Sequence, residues 1–240
     1  MRYFKLLAIL AVVGLVAWTA TPAEAAFKLR IDDPNDASAA VVITDGGAGD
    51  NLPGVAGTIN FAGSVGDWTV TVATGSSKPS IGGVYVPELN LTITLIAYSL
   101  SGQDASNESI AQITLELTDT DFVIGPSLTS LALGYSVDTG PDAILVMDGY
   151  TGSGEFDTSG GHVGATASFP PENQAGTAVG PTLPPQSSLT LVLSVTQYET
   201  QQTVSGDIQL RAIPEPCTLG IWGLFAAIGI AGAVRRRLRN

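Results

Sequence analysis

Leu89-Asn90-Leu91-Thr92-Ile93-Thr94-Leu95 sets a large apolar side chain at every second position and a polar one between. Successive side chains of a strand point to opposite faces, so this stretch buries one face and wets the other. The same alternation recurs on both sides of it. Trp68, Val70 and Val72 enclose Thr69 and Thr71, and Ile113, Leu115 and Leu117 enclose Thr114 and Glu116. Leu131, Leu133, Tyr135 and Val137 follow, then Leu189, Leu191, Leu193 and Val195, then Ile208 and Leu210. Between the two ends of the chain no segment shows a helical period. Valine and threonine are residues that strands favour.

The breaks between these runs are turn chemistry: Asp45-Gly46-Gly47, Gly75-Ser76-Ser77, Ser101-Gly102, Thr139-Gly140-Pro141, Asp148-Gly149 and Ser159-Gly160-Gly161. Many short amphipathic strands at this spacing predict an all-β, antiparallel β-sandwich. Too few strands follow the proline-rich connection from Pro170-Pro171 to Pro184-Pro185 to close a second core. It is expected to be a long loop within one domain, and no repeat of fixed period is visible.

Both ends of the 240-residue chain carry topogenic patterns. Arg2 and Lys5 precede an apolar run from Leu6 to Ala17, and Ala23-Glu24-Ala25 fits a small-x-small cleavage site. Residues 1–25 are therefore expected to be a signal peptide, with the mature chain starting at Ala26. Residues 26–213 are then the ectodomain, long enough for one sizeable core. They hold 20 of the 22 acidic residues but only Lys28, Arg30, Lys78 and Arg211 of the ten basic ones, a net charge of −16. Nothing there can neutralise phosphates, which argues against nucleic acid as a partner. The single cysteine, Cys217, lies outside this region, so no disulfide holds it together.

At the other end, Pro214-Glu215-Pro216 precedes the uncharged run Cys217 to Val234 and then Arg235, Arg236, Arg237 and Arg239. As a helix those eighteen residues would span roughly 27 Å, close to the ~30 Å of a hydrocarbon core. The arginines are the stop that stays inside, which puts the preceding chain outside. Proline fixes φ and pushes its predecessor towards extended geometry, so the segment before the run is stiff and non-helical.

The order Pro-Glu-Pro, Thr218-Leu219, a glycine-bearing apolar run (Gly220, Gly223, Gly229, Gly232) and a terminal arginine cluster resembles the PEP-CTERM sorting signal. Over the 27 residues 214–240, the resemblance implies a sorting and anchor segment. It implies an exosortase-type membrane enzyme as partner, which recognises Pro-Glu-Pro and removes the anchor. It also implies a Gram-negative host that makes exopolysaccharide. The family more often has serine or alanine where this chain has Cys217, read here as a small apolar residue at the interface. The ectodomain bears a looser likeness to a group of PEP-CTERM surface proteins. It rests on Gly66-Asp67-Trp68-Thr69-Val70, Thr118-Asp119-Thr120-Asp121-Phe122 and the strand from Leu189 to Tyr198. No activity comes with that likeness.

Inside the ectodomain, chemistry-bearing residues are sparse. His162 is the only histidine and alternates onto a polar face, where it reads as solvated. Without a second histidine or a cysteine there is no zinc site of usual composition. No Gly-x-Ser-x-Gly elbow supports a serine triad. Asp119 and Asp121 sit at period two and are expected to share a strand face, while Asp45 and Asp50 share a glycine-rich loop with Asn51. Calcium takes six to eight oxygens and can use such loops. It is the one cofactor left open, although turn-forming and solvated aspartates explain the same residues. Glu155 and Asp157 share another loop, and paired carboxylates also raise glycoside hydrolysis, for which no cleft is marked. Asn90-Leu91-Thr92 and Asn107-Glu108-Ser109 match the N-glycosylation pattern, which is common by chance.

The expectation is a non-enzymatic, exported protein, held briefly in the inner membrane with its N-terminus outside. It then reaches the cell surface or the extracellular matrix, associated with exopolysaccharide. Two alternatives stay open. A carbohydrate-binding module would show an aromatic stripe, and Tyr85, Tyr98, Tyr150 and Tyr198 make none that the sequence reveals. A plain single-pass envelope protein would keep its anchor.

Overall fold

Wherever the sequence alternates, the backbone pairs. The structure is a computed structural model that describes residues 26–36, 40–122, 128–139, 142–168, 173–180 and 187–214. Residues 1–25, expected to be a signal peptide, with Ala23 and Ala25, and likewise Glu215, Pro216 and the arginine cluster, lie outside the described residues. The strands are β1 (Lys28–Asp32), β2 (Val41–Thr44), β3 (Thr58–Val65), β4 (Trp68–Ser76), β5 (Glu88–Ala97), β6 (Gly102–Gln103), β7 (Ser109–Asp119), β8 (Leu128–Asp138), β9 (Ala143–Gly152), β10 (His162–Ser168), β11 (Asn173–Val179), β12 (Ser188–Gln197) and β13 (Thr203–Pro214). No described residue is helical, and no described helix is long and apolar enough to cross a membrane.

Two antiparallel sheets face each other. The first runs β10-β9-β12-β7-β1-β2, with β6 pairing the start of β7, and the second runs β11-β8-β13-β5-β4-β3. Leu29, Leu115, Leu117, Leu191 and Leu193 from the first meet Leu89, Leu91, Ile93, Leu133 and Leu210 from the second in one buried cluster. Trp68 is fully buried, and its indole Nε1 donates to the Gln112 carbonyl at 2.8 Å, joining β4 to β7 across the core. A buried indole N–H needs such a partner. Glycine lets the sheets approach closely at one inward position of β9: a Cβ on Gly149 would overlap Leu210.

Three expectations need correction. The alternation through Val72 fails, because a bulge at Thr71 shifts the register between Val70 and Val72. Trp68 and Val70 face inward, then Ala73, while Val72 is not buried. An extra residue in one strand flips everything after it to the other face. The proline-rich connection is not wholly loop, since β11 lies within it and pairs with β8 from Asn173↔Asp138 to Val179↔Ala132. Asp119 and Asp121 do not share a strand face: β7 ends at Asp119, and Asp121 is exposed with φ 62°.

The register gives the sandwich two distinct ends. β13 finishes at Pro214, its Arg211 opposite Glu88 at the start of β5. β1 starts at Lys28 opposite Thr118, next to the end of β7, and β12 starts where β9 finishes. The sandwich therefore begins its first strand and ends its last one at one end, called the near end. The described loop residues 33–36, 66–67, 98–108, 142 and 198–202 gather at the opposite, far end.

Candidate functional site

Most of the acidic residues singled out by the sequence have structural work in the fold. The Asp50 carboxylate accepts from the backbone N–H groups of Leu52 (2.9 Å), Asn60 (3.0 Å) and Gly46 (3.1 Å). Asp45 accepts from the Gly57 N–H at 2.7 Å. Both hold the β2–β3 loop closed. Asp157 accepts from Ser153 and Ser159 within the β9–β10 loop (2.7–3.0 Å), and these bonds, led by the Ser153 N–H, hold its pKa well below the usual range. Among the described residues no three potential metal ligands come together.

Asp119 is different. It is wholly buried at the near end, where Lys78 Nζ lies 2.9 Å from its Oδ2 and the Ser77 hydroxyl also donates to it. Lys78 also donates to the Thr120 carbonyl, and its ammonium stands 4.0 Å from the centre of the Phe122 ring. Burial raises the Asp119 pKa, against the lowering effects of Ser77 and Lys78. This cluster ties the segment after β4 to the end of β7, and so one sheet to the other.

The outer face of the first sheet brings together residues far apart in sequence. Cross-strand pairing sets His162 beside Tyr150, Tyr150 beside Thr190, and Thr190 beside Thr118. His162 is not simply solvated. Its ring stacks on Tyr150 with centroids 4.7 Å apart, and Nε2 lies 2.7 Å from Asp148 Oδ1. Burial, then the Asp148 charge, raises the Tyr150 pKa. The β9–β10 loop roofs the neighbouring part of this face. Glu155 pairs with Lys28 at 2.7 Å, the Phe156 ring lies 4.7 Å from the Arg30 guanidinium, and the Phe156 N–H donates to Thr118 Oγ1 at 3.2 Å. Beneath that roof Glu116 pairs with Arg30, and burial raises its pKa despite that pairing.

The far end holds an open cleft. It has a volume of about 490 Å³ and is lined by Glu108, Asp142, Ala143, Ile144, Tyr198 and Glu199. Binding pockets for small ligands commonly have such volumes. The Tyr198 N–H donates to the Asp142 carbonyl at 3.0 Å, fixing the β12–β13 loop against the turn before β9. Asp142 holds φ 56°, a conformation that aspartate tolerates better than most residues. Asp104 shapes the neighbouring wall by accepting from the Ser106 and Glu108 N–H groups at 2.8 and 2.9 Å. The far-end loops contain no lysine or arginine. The cleft therefore offers carboxylate acceptors, a phenol and the half-buried Ile144 side chain to a neutral or cationic ligand, and repels an anionic one. Of the lining residues, the sequence singles out Tyr198 alone. Glu199 adjoins it in sequence, but nothing in the sequence gathers Glu108 and Asp142 with them, because these come from two other loops.

The four tyrosines do not form a stripe: Tyr85 is at the near end, Tyr98 and Tyr198 at the far end, and Tyr150 on a sheet face. No family model matches the chain, and no curated protein matches it. Several solved β structures are similar at low identity. The enzymatically active domain of bacteriophage CBA120 tailspike protein 4 is 9% identical with a TM-score of 0.33; the match covers 60% of this chain, which spans only 19% of that one. A carbohydrate-binding module of the β-sandwich superfamily, described for promiscuous specificity, is 14% identical with a TM-score of 0.35, covering 75% of this chain and 70% of that one. The family 11 carbohydrate-binding module from Clostridium thermocellum, in complex with a mixed-linked tetrasaccharide, is 11% identical with a TM-score of 0.26, covering 69% and 93%. At such identities and scores nothing about a ligand or an activity passes from these proteins to this chain.

Proposed function

We propose that the chain is an exported, non-catalytic surface protein. Its tail holds the near end at the inner membrane until an exosortase-type enzyme acts at Pro214-Glu215-Pro216. Its acidic far end points outward, into an extracellular polysaccharide. The observation that carries this reading is where the sorting motif sits. Pro214 is the last residue of β13, so Glu215 and Pro216 follow the sandwich with no spacer, and the uncharged run follows them. Glu215 gives the enzyme a charge to read, and the prolines a fixed extended shape. In an exosortase-containing host, Glu215→Ala should leave insertion intact and make uncut precursor accumulate in the inner membrane. Neutralising Arg235, Arg236 and Arg237 should instead disturb retention and orientation. If native protein still carries residues 217–240, and Glu215→Ala changes neither its size nor its location, the plain single-pass anchor is the correct reading.

The far-end cleft favours carbohydrate binding as the role of the displayed domain. Carboxylates accept hydrogen bonds from sugar hydroxyls, and a tyrosine ring with Ile144 beside it suits the apolar face of a pyranose. The absence of basic residues from the far-end loops points to a neutral glycan. Calorimetric titration with neutral hexose oligosaccharides should show binding that Tyr198→Ala removes. Equal heats for wild type and Tyr198→Ala, or no heat with any neutral glycan, would end this assignment.

A further inference from the structure

The near end carries an apolar surface that the sorting reading does not by itself require. The turn between β4 and β5 puts Val84, Tyr85 and Val86 in solvent, with Tyr85 73% and Val86 58% exposed. Gly83 and Val86 close this turn by exchanging both backbone hydrogen bonds at 3.0 Å. The β2–β3 loop exposes Leu52 and Val55 beside it. The two loops are fastened together: the Ser77 N–H donates to the Gly57 carbonyl at 2.9 Å, and Ser80 Oγ to the Ala56 carbonyl at 2.9 Å. Among the described residues, five of the nine exposed large apolar side chains lie on these two loops. Residues 51–57 and 79–87 contain no charged residue, in a region whose net charge is −16. Contiguous exposed apolar side chains of this kind mark an interaction surface.

We propose that these loop tips rest in the headgroup layer of the bilayer that holds the tail, so that the sandwich sits directly on the membrane. This rests on the reading of 217–234 as a membrane helix. The chain's own geometry selects lipid as the occupant. The Ala212 N–H bonds to the Pro87 carbonyl at 3.1 Å, so the turn 83–86 lies on the same side of that level as Ile213 and Pro214. From Pro214 to Cys217 an extended chain reaches at most about 10 Å. The polar layer on each side of the hydrocarbon is roughly 5–8 Å thick. A tail inserted from Cys217 onward thus keeps the loop tips within about 10 Å of the hydrocarbon, at or inside that layer. Tyrosine beside valines is a composition that settles at such an interface.

The chain's three tryptophans, Trp18, Trp68 and Trp222, make the test internal. The full chain carrying Trp18→Phe is reconstituted into phosphatidylethanolamine–phosphatidylglycerol vesicles, with or without brominated phosphatidylcholine. One form keeps Trp222 and reports the tail. A second carries Trp222→Phe and Tyr85→Trp and reports the loop. Trp68, buried in the core, is the unquenched baseline of both. Brominated lipid should quench the tail form and the loop form. Val84→Asp with Val86→Asp should abolish quenching in the loop form and leave the tail form quenched. If the tail form is quenched but the loop form is not, the seat on the membrane is wrong and the tail reading stands. If neither is quenched, the tail reading fails and this inference fails with it. A blue shift of the loop form's emission that grows with protein concentration and is insensitive to brominated lipid would mean that a second copy covers the loops, which also overturns the inference.

Discussion

Replacing Lys78 with methionine is the sharpest test of how the two sheets are held together. Methionine keeps much of the aliphatic volume but removes the ammonium, which leaves Asp119 wholly buried with the Ser77 hydroxyl as its remaining side-chain donor. Removing one partner of a buried ion pair typically costs about 3–5 kcal/mol, because the other charge stays desolvated. Ser77 remains, and the Lys78 side chain is 10% exposed, so the lower end of that range applies, about 3 kcal/mol. In a domain of this size that corresponds to roughly 6–12 °C in Tm. The sign with pH follows from the direction of the Asp119 shift. Its folded pKa is already raised by burial and should rise further without the lysine. A raised folded pKa contributes stability at pH values below the unfolded pKa and loses it as pH rises through the folded one. The deficit of Lys78→Met should therefore be largest near neutrality and shrink towards pH 4. Lys78→Met combined with Asp119→Leu should recover most of the loss, since no charge is then left buried. Urea unfolding of wild type and both variants at neutral and acidic pH reads all of this. A loss under about 1 kcal/mol at neutral pH, the size of an exposed pair, would show that this contact is not buried in solution.

Gly149→Ala places a methyl group against Leu210 in the core and should cost about 1–3 kcal/mol, read by the same urea midpoint; a neutral result would mean the sheets are less closely packed there. Asp157 has a depressed pKa, so its contribution is present above the unfolded carboxylate pKa and is lost as pH falls through the folded one. The stability gap between wild type and Asp157→Asn should accordingly narrow on acidification, and a gap that widens would contradict the loop geometry. Chelation should shift Tm little, because the Asp45 and Asp50 carboxylates already accept backbone N–H groups; a fall above about 10 °C, equal to a few kcal/mol for this size of domain, would reveal a calcium site.

Strand identity is legible because a half-buried strand writes its faces into the sequence at period two. Leu89 to Leu95, Ile113 to Leu117 and Leu189 to Val195 all face as their alternation predicts. What fails is local. The bulge at Thr71 has no signature in a run of valines and threonines, so Val72 reads as core. β11 escapes notice because Asn173 to Val179, with its glycine and alanines, carries too little apolar contrast to stand out between prolines. The Asp119–Lys78 pair spans 41 residues, and nothing in Thr118-Asp119-Thr120-Asp121 shows which aspartate ends the strand facing inward. A period describes one strand; it does not say which strands are neighbours.

The two ends of the molecule follow from that same limit. Leu52, Tyr85 and Pro214 are distant in sequence, and each alone is ordinary: a loop leucine, a turn tyrosine, a strand-ending proline. They lie on one side because β3 pairs with β4, β4 with β5, and β5 with β13, all antiparallel, which brings the start of β3, the end of β4, the start of β5 and the end of β13 to the same end. The same ladder sends the acidic loops at 98–108 and 198–202 to the other side. Net charge taken over the whole region hides this division, since it averages the uncharged loop stretches 51–57 and 79–87 of the near end with far-end loops that contain carboxylates and no lysine or arginine. The exposed apolar tips of two loops thus lie on the side where β13 ends, beside the segment that resembles a sorting signal, and the carboxylates without lysine or arginine lie opposite.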